Sequence, residues 1–543
     1  MIKRHTVLLV SSIMLTSLYG CSSDNREVAT GTASYQKSSG CISCHGGFGN
    51  NSTSTKYSPV TGAKITDEWQ KSAHNTSNGA ACTDCHTNSG HPSGGSIVKA
   101  VQDTQCATCH TTTSLGILHF ANFTTSLASQ FVSQSDPAGV QCRKCHNPHD
   151  TTSLIQYNKD WAESGHGETT FSNDGNANND SVNSHYPWTT SSRDSCSKCH
   201  TTTGNLMHTV GGATTLTNNS FNTNPASVVS TTTVTGGPLM SNNKKNETVM
   251  CSACHADYSW KRRDIGARTL EYTYDPDFVP GGGSDAFAGA APASTDGATA
   301  ATAVQLPDAG DSNLCLVCHS GRGNFQSKRS TRFEGHHAPT GADLYAEYTH
   351  VGYEFAGLDY TKPGSFAHST IGIADGSGPC VSCHMKSTNS HTFEAVNKDG
   401  NGVITAIKSQ AICNDCHDTS MTAAILEGKA LGYKDAGKLL KDYLANTVTN
   451  YTNAAITVSS SNVYTIHVNT YGAFQNSLYP TEDPGGFAHN SYYVKRLIFD
   501  SIDWLDNHAF DGTITINATN YPDAAKWYGA PDGTTGDYTA SRP

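Results

Sequence analysis

The sequence predicts short helices and irregular loops wrapped around something other than an aliphatic core, and three observations predict it. The 543 residues are only 36% hydrophobic. Charged residues make up 15%, against about 25% in an average soluble domain, and Thr, Ser, Asn and Gly fill the remaining space. The chain also carries 19 cysteines and 25 histidines, an excess of metal-ligating groups that a chain of this size does not need for folding. Length alone suggests about two to four folding units. Near-average Gly (50) and Pro (19) exclude collagen-like and low-complexity classes. The net charge of −11 argues against a nucleic-acid partner, which requires clustered Lys and Arg to displace phosphate counterions.

The cysteines say what replaces the core. They fall into pairs two residues apart, each followed at once by His: Cys41/Cys44/His45, Cys82/Cys85/His86, Cys106/Cys109/His110, Cys142/Cys145/His146, Cys196/Cys199/His200, Cys251/Cys254/His255, Cys315/Cys318/His319, Cys380/Cys383/His384 and Cys413/Cys416/His417. Nine CxxCH motifs use eighteen of the nineteen cysteines and leave Cys21. CxxCH is the attachment signature of c-type haem: two thiols three positions apart each add to a haem vinyl group, and the adjacent imidazole reaches the iron. Zinc sites need paired CxxC units or His at finger spacing. A thioredoxin-like site would not repeat His at one offset nine times. The fold class is therefore a multihaem cytochrome c carrying nine covalent haem c groups, mostly irregular loops and short helices around a haem chain, with a small mixed α/β C-terminal cap.

Residues 1–20 read as a secretory signal, with Lys3 and Arg4 before an apolar stretch over 6–18. That stretch is shorter than the ~20 residues a spanning helix needs. Leu18-Tyr19-Gly20-Cys21 resembles the bacterial lipobox, which makes Cys21 the expected lipidation site. Ser22 rather than Asp follows it, so the resemblance implies outer-membrane sorting, on the periplasmic or cell-surface face. No later apolar run is long enough to span a bilayer, so the expected membrane contact is the lipid anchor only.

Residues 21–419 form the expected nine-haem electron-transfer body, and residues 420–543 a haem-free cap that contributes a distal ligand. Motif spacing runs from 24 residues (Cys82 to Cys106) to 65 (Cys315 to Cys380) without a fixed period, which excludes a solenoid. Partial duplication is visible, however: Trp69-Gln70-Lys71-Ser72-Ala73-His74 parallels Trp161-Ala162-Glu163-Ser164-Gly165-His166, and Thr-Thr-Thr follows both His110 and His200. Polar stretches 173–183 and 214–235 read as loops on turn chemistry, and the Gly/Ala-rich stretch 281–302 as an exposed loop. In the cap, apolar residues at helical spacing predict a helix over 420–444, Thr/Val/Ile/Tyr enrichment predicts a strand over 455–468, and 492–505 reads as a second helix.

Fifteen histidines remain once the nine motif residues and His5 are set aside, and only five methionines follow residue 20 (Met207, Met240, Met250, Met385, Met421). Most irons are therefore expected to be bis-His. Such iron is six-coordinate, has no open position, and lies at lower potential than His/Met iron. No histidine lies between His255 and His319, so those two haems borrow ligands from remote segments.

The chain resembles the multihaem c-type cytochrome lipoproteins of metal-reducing, electrode-respiring bacteria over about Trp69 to Asn507. The residues that carry the resemblance are Asn147-Pro148-His149, Trp161 with Ser164-Gly165-His166, His185-Tyr186-Pro187-Trp188, Ser312-Asn313-Leu314, Ser320-Gly321-Arg322, Val351-Gly352-Tyr353-Glu354, the run from Asp375 to Met385, His391-Thr392-Phe393, Ala488-His489-Asn490 and the closing run from Asp500 to Trp504. It implies nine distal ligands: His74, His119, His149, His166, His185, His337, His368, His391 and His489. His91, His208, His336, His350, His467 and His508 are left as spares, with His208 competing closely against His119 or His185.

The expected function is electron transfer rather than enzymatic catalysis, in extracellular respiration of metals or electrodes. Expected partners are other redox proteins (periplasmic or outer-membrane cytochromes, with a porin as a further candidate) and extracellular acceptors such as metal oxides. Two alternatives stand beside it. A multihaem reductase of a small oxyanion such as nitrite would need a haem with an open position, and the CxxCK variant common in one such class does not occur here. A subunit of a polymeric cytochrome filament would have to leave the membrane, which a lipid anchor opposes. Lys261-Arg262-Arg263 is the main basic cluster, suited to haem propionates or an acidic partner, or simply a solvated loop.

Overall fold

The computed structural model describes residues 31–46, 63–86, 261–274, 302–326, 339–361, 368–386, 390–447 and 467–543 as continuous stretches. Shorter pieces lie at 55–57, 91, 109, 147, 149, 157–158, 160–161, 164–166, 197–200, 202–209, 249, 251–255, 287–288, 451–452, 455–456 and 463–464. The signal segment with Cys21, the loops at 173–183 and 214–235, and Cys106, His110, His119, Cys142, Cys145, His146, His185, Cys196, His336 and His337 fall outside the described residues. The chain divides into two compact units, Met1–Met207 with Leu216–Arg262, and His208–Thr215 with Arg263–Pro543.

The first unit is built around haem motifs at helix ends. Helix α1 (Ala33–His45) starts where the Thr32 hydroxyl accepts from the Tyr35 N–H at 3.0 Å, satisfying one of the donors a helix start leaves open. Its last turn is the first CxxCH. Helix α2 (Ile65–Lys71) buries Trp69, and α3 (Cys82–Cys85) is the second motif itself. The Ser38 hydroxyl of α1 accepts from the Cys82 N–H at 3.1 Å, and the Asp84 carboxylate accepts from the Ala81 N–H at 2.9 Å. These buried and capping bonds tie the two motifs together. The exposed Lys37–Asp84 pair at 2.8 Å adds little, because water screens it.

The duplicated element has one structure in both copies. In the first, Ser72 Oγ donates to the Trp69 carbonyl at 2.8 Å and accepts from the His74 N–H at 3.1 Å. In the second, Ser164 Oγ donates to the Trp161 carbonyl at 2.7 Å and accepts from the His166 N–H at 3.2 Å. The indoles then do the same job at two places: Trp69 Nε1 donates to the Ala80 carbonyl and Trp161 Nε1 to the Val249 carbonyl, both at 3.0 Å. Each acceptor lies two residues before a motif, Cys82 in one case and Cys251 in the other. The W-x-x-S-x-H turn therefore fastens a histidine beside a CxxCH helix, the second time across a long sequence separation.

In the second unit an antiparallel pair, β1 (Thr269–Tyr274) and β2 (Thr302–Gln305), leads to three further motif helices, α4 (Asn313–His319), α5 (Gly378–His384) and α6 (Gln410–His417). Between α5 and α6 lies the hairpin β3 (Val396–Lys398) and β4 (Ile404–Ile407). The C-terminal part comprises α7 (Ala423–Thr447), α8 (Val468–Glu482), the short α9 (Gly486–His489), α10 (Ser491–Asn507), the pair β5 (Thr513–Asn517) and β6 (Asp537–Ser541), and α11 (Pro522–Trp527) between those strands. Among the described residues every sheet has two strands, and no helix is long and apolar enough to cross a membrane.

Val494, Leu497, Ile498, Ile502 and Leu505 of α10 recur at helical spacing and are buried, giving the single apolar stripe of an amphipathic helix. They share one core with Leu440 and Leu444 of α7, Phe474 of α8, and Val351, Tyr353 and Phe355. The last three belong to an extended segment held by the buried Asn476 amide, which accepts from the Tyr353 N–H at 2.9 Å and donates to its carbonyl at 3.0 Å. Asn476 thus supplies the hydrogen bonds a neighbouring strand would have made. Gly472 lets that segment approach, since a Cβ there would lie 2.0 Å from the Tyr353 ring.

The expected helices over 420–444 and 492–505 are present as α7 and α10. The expected strand over 455–468 is not continuous: 455–456 and 463–464 are strands, but Val468 opens α8. His467 reverses the pattern by capping that helix, its Nδ1 accepting from the Asn469 N–H at 3.1 Å. Within the expected loop 281–302, Phe287–Ala288 pairs with Val463–Tyr464.

Candidate haem-binding sites

A CxxCH sequence in the last turn of a helix puts both thiols and the imidazole on one side, because residues three and four apart share a helix face. His45, His319, His384 and His417 each end such a helix. The same local structure recurs at two motifs of the first unit. Cys199 lies in the short helix Ser197–His200, directly before His200, and Cys254 closes the helix Cys251–Cys254, directly before His255. In α4, Cys318 stands beside His319 in the final turn. Cys199, Cys254 and Cys318 are all half-buried. Cys109 departs from that pattern, because it lies in a turn and is exposed. Cys44 and Cys416 are exposed as well, so full burial of the attachment sulfur is not part of the motif's design.

Motifs also abut one another. Within the first unit the Cys82 thiol sits beside Cys41. Within the second, Cys380 sits beside Cys315, and Cys383 beside Cys413. Burial pushes the Cys383 thiol up to about 11, with Cys413 and Cys380 adding to it. Three successive attachment sites, at Cys315, Cys380 and Cys413, therefore run thiol to thiol.

Opposite four motif histidines stands a second imidazole. Ring centres are 6.0 Å apart for His45 and His91, 6.1 Å for His86 and His149, 6.3 Å for His417 and His368, and 6.4 Å for His384 and His489. A metal–imidazole bond of about 2.0 Å on each side, with about 1.1 Å from each nitrogen to its ring centre, requires a separation of ~6 Å. Rings packed for their own sake stack closer, as His350 does on Tyr274 at 3.7 Å. The four pairs have the spacing that two imidazoles holding one iron would have, so these residues would fit a haem attached at their motifs.

The outer ring nitrogens are held as axial ligation needs. His384 Nδ1 faces the Phe393 carbonyl at 2.7 Å and His368 Nδ1 the Ala488 carbonyl at 2.6 Å. A carbonyl only accepts, so each Nδ1 carries the proton and each Nε2 presents a lone pair. His489 Nδ1 faces both oxygens of the buried Asp483 carboxylate, at 3.0 and 2.9 Å. Burial lowers His384 and His368, and burial with the nearby His86 and His74 takes His149 down to about 4. These rings are neutral at neutral pH, the form that binds metal. His489 differs. Burial opposes its charge, but the Asp483 carboxylate outweighs burial and raises it.

Of the nine histidines expected on the far side of an iron, His149, His368 and His489 stand opposite motif rings. His74 and His166 occupy the two W-x-x-S-x-H turns, and burial lowers His166. His391 lies against Ser390 Oγ and the Phe393 ring edge. Four of the expected spares have other work: His208 Nε2 meets Arg268 at 3.2 Å, His350 pairs with Glu354 at 3.0 Å, His467 caps α8, and His508 ends α10 in the left-handed region at φ 62°. His91 is the exception. Sequence set it aside because no motif surrounds it, and only the fold brings it to His45. In the basic cluster Lys261 is exposed, Arg262 bridges to His255 and Arg263 is buried.

Two known proteins are similar to this chain in sequence. The C-type polyheme cytochrome OmcB of Geobacter sulfurreducens is 33% identical over 383 residues, covering 63% of this chain and 47% of that protein. The chain is homologous to polyhaem c-type cytochromes. OmcC of the same organism, also a C-type polyheme cytochrome, is 33% identical over 387 residues, covering 63% of this chain and 46% of that protein. The chain spans about half the length of the curated relatives it matches. No family model and no solved structure matches it. The homology supports haem c as the group its CxxCH motifs attach, and among the described residues every sheet has only two strands.

Proposed function

We propose that this protein carries electrons through nine covalently bound haem c groups, mostly bis-His, at the outer membrane in extracellular respiration of metals or electrodes. The observation that carries this reading is the set of histidine pairs at axial spacing, joined within each unit by thiols of successive motifs. Haem iron supplies one-electron chemistry; the chain supplies ligands, spacing and insulation. Both cysteines of every motif hold haem in this reading, including Cys109, Cys199, Cys254 and Cys318, the second thiols of the third, fifth, sixth and seventh motifs. The ligand pairs are His45/His91, His86/His149, His384/His489 and His417/His368. The other five irons draw on five of His74, His119, His166, His185, His337 and His391. Residues 21–419 form the haem-bearing body, and 420–543 a haem-free cap that lends His489. Cys21 is the lipid anchor. Donor and acceptor are other redox proteins, with a porin among the docking candidates, and metal oxides outside the cell.

A ligand on both sides of each iron leaves no position for a substrate, which makes the protein a carrier and not an enzyme. The purified protein is therefore expected to show only low-spin haems in electron paramagnetic resonance, and to be reduced and reoxidised without binding carbon monoxide or nitrite. A high-spin haem that takes up either ligand in the native protein overturns the carrier reading and favours a reductase.

A further inference from the structure

One turn of the chain touches the far-side ligands of two haems. Helix α9 ends in Ala488-His489, where the Ala488 carbonyl accepts from His368 Nδ1 and His489 reaches toward His384. The two rings are held differently. His368 has a neutral carbonyl, whereas His489 has Asp483, 1% exposed, with both oxygens within 3.0 Å of Nδ1. Behind Asp483 lies a second buried carboxyl, Asp343, bonded through Oδ1 to the Tyr479 hydroxyl at 3.0 Å. Its Oδ2 is buried as well, and burial, followed by the repulsion of Asp483 and a side-chain hydrogen bond with it, pushes Asp343 far up. The shift favours the neutral form of Asp343 beside Asp483, while the two Asp483 oxygens face the His489 imidazole. Asp343, Asp483 and His489 also lie close enough to grip a cation together. Here, however, the imidazole already faces one carboxylate through Nδ1.

We propose that Asp483 is a positioning residue for the haem attached by Cys380 and Cys383, holding His489 by Nδ1 and setting that haem's reduction potential below that of its neighbour at Cys413 and Cys416. The inference rests on the axial reading of His384 and His489. A carboxylate partner makes an imidazole a more basic ligand, and a full negative charge in a poorly polarisable interior favours the more positive, oxidised iron. A carbonyl on His368 does this only weakly. Electrons then settle on the Cys413/Cys416 haem, whose Cys413 thiol lies beside Cys383.

The test uses the full haem-loaded protein, titrated potentiometrically with electron paramagnetic resonance as readout. In His489→Ala and His368→Ala one low-spin signal each disappears, which labels the two haems. Asp483→Asn keeps the size and an acceptor oxygen but removes the charge. At a fixed applied potential it is expected to raise the reduced-to-oxidised ratio of the His489 haem about tenfold, or about 59 mV for one electron, with the low-spin count unchanged. An assembled Asp483→Asn protein with unaltered potentials overturns the proposal. Should that variant fail to assemble, the wild-type order decides: the His489-labelled haem must titrate below the His368-labelled one, and the reverse order overturns the proposal. His489→Ala that leaves every low-spin signal in place refutes the axial assignment instead, a result distinct from either.

Discussion

His91→Ala turns one low-spin haem into a high-spin haem that binds carbon monoxide. Thioether bonds at Cys41 and Cys44 would keep the haem attached, so the haem content is expected to stay the same while the ligand field changes. The expectation comes from geometry alone: the His91 and His45 rings are 6.0 Å apart and only 10° from parallel, and His45 closes the helix that carries both thiols. The effect is all-or-none for one iron, because losing either imidazole of a pair opens a coordination position. The matched controls are His350→Ala and His508→Ala. The first ring pairs with Glu354 and stacks on Tyr274, and the second ends α10. Both controls should leave every haem low-spin. A His91→Ala protein whose spectrum matches wild type would place the sixth ligand of that haem elsewhere.

Arg542→Ala is expected to cost about 3–5 kcal/mol, as removing one partner of a buried ion pair does. The guanidinium meets both oxygens of Asp500 at 2.7 and 2.8 Å, and the Asp500 side chain is 0% exposed. Arg542 follows directly on β6, and Asp500 sits in the middle of α10, so the pair pins the last strand to the helix that begins just after His489. Left alone, the carboxylate keeps only the nearby Tyr360 hydroxyl and a desolvation penalty. Urea unfolding followed by far-ultraviolet circular dichroism should show an earlier midpoint for Arg542→Ala. Asp500→Asn combined with Arg542→Ala should recover part of the loss, since the orphaned charge is then gone. A single variant as stable as wild type would mean that the pair is solvated and contributes little.

What the sequence made legible was chemistry with a local signature. The CxxCH motifs name their own cofactor, and the homology agrees with it. The W-x-x-S-x-H duplication is visible in the sequence, and both copies have one structure, down to the serine that both donates and accepts. Helix α10 was legible because its aliphatic stripe is dense. Helix α8 was not: Val468–Glu482 buries Tyr471, Phe474, Gln475, Asn476, Ser477 and Tyr479, and a stripe of aromatics and amides does not register as an apolar period. The ligand pairs were only half legible. His149 and His489 lie in recognisable surroundings, whereas His91 is bare of any motif. Its partner is chosen by the contact of α1 and α3 and not by spacing along the chain. Spacing likewise says nothing of burial, which is why Cys109 is exposed while Cys199, Cys254 and Cys318, at the same place in their motifs, are half-buried. Nor could composition show that His489 leans on a carboxylate and His368 on a carbonyl, because Asp483 and Ala488 look alike until the turn at α9 aims them.

In the proposed function the eighteen motif cysteines attach haem, one group for each motif. This is tested most directly by the haem-to-protein ratio of the purified mature protein, measured as intact mass under denaturing conditions, where only covalently bound groups remain. Nine haems are expected on every chain. A fully matured preparation with eight or fewer, or one whose CxxCH thiols hold zinc instead, would contradict it.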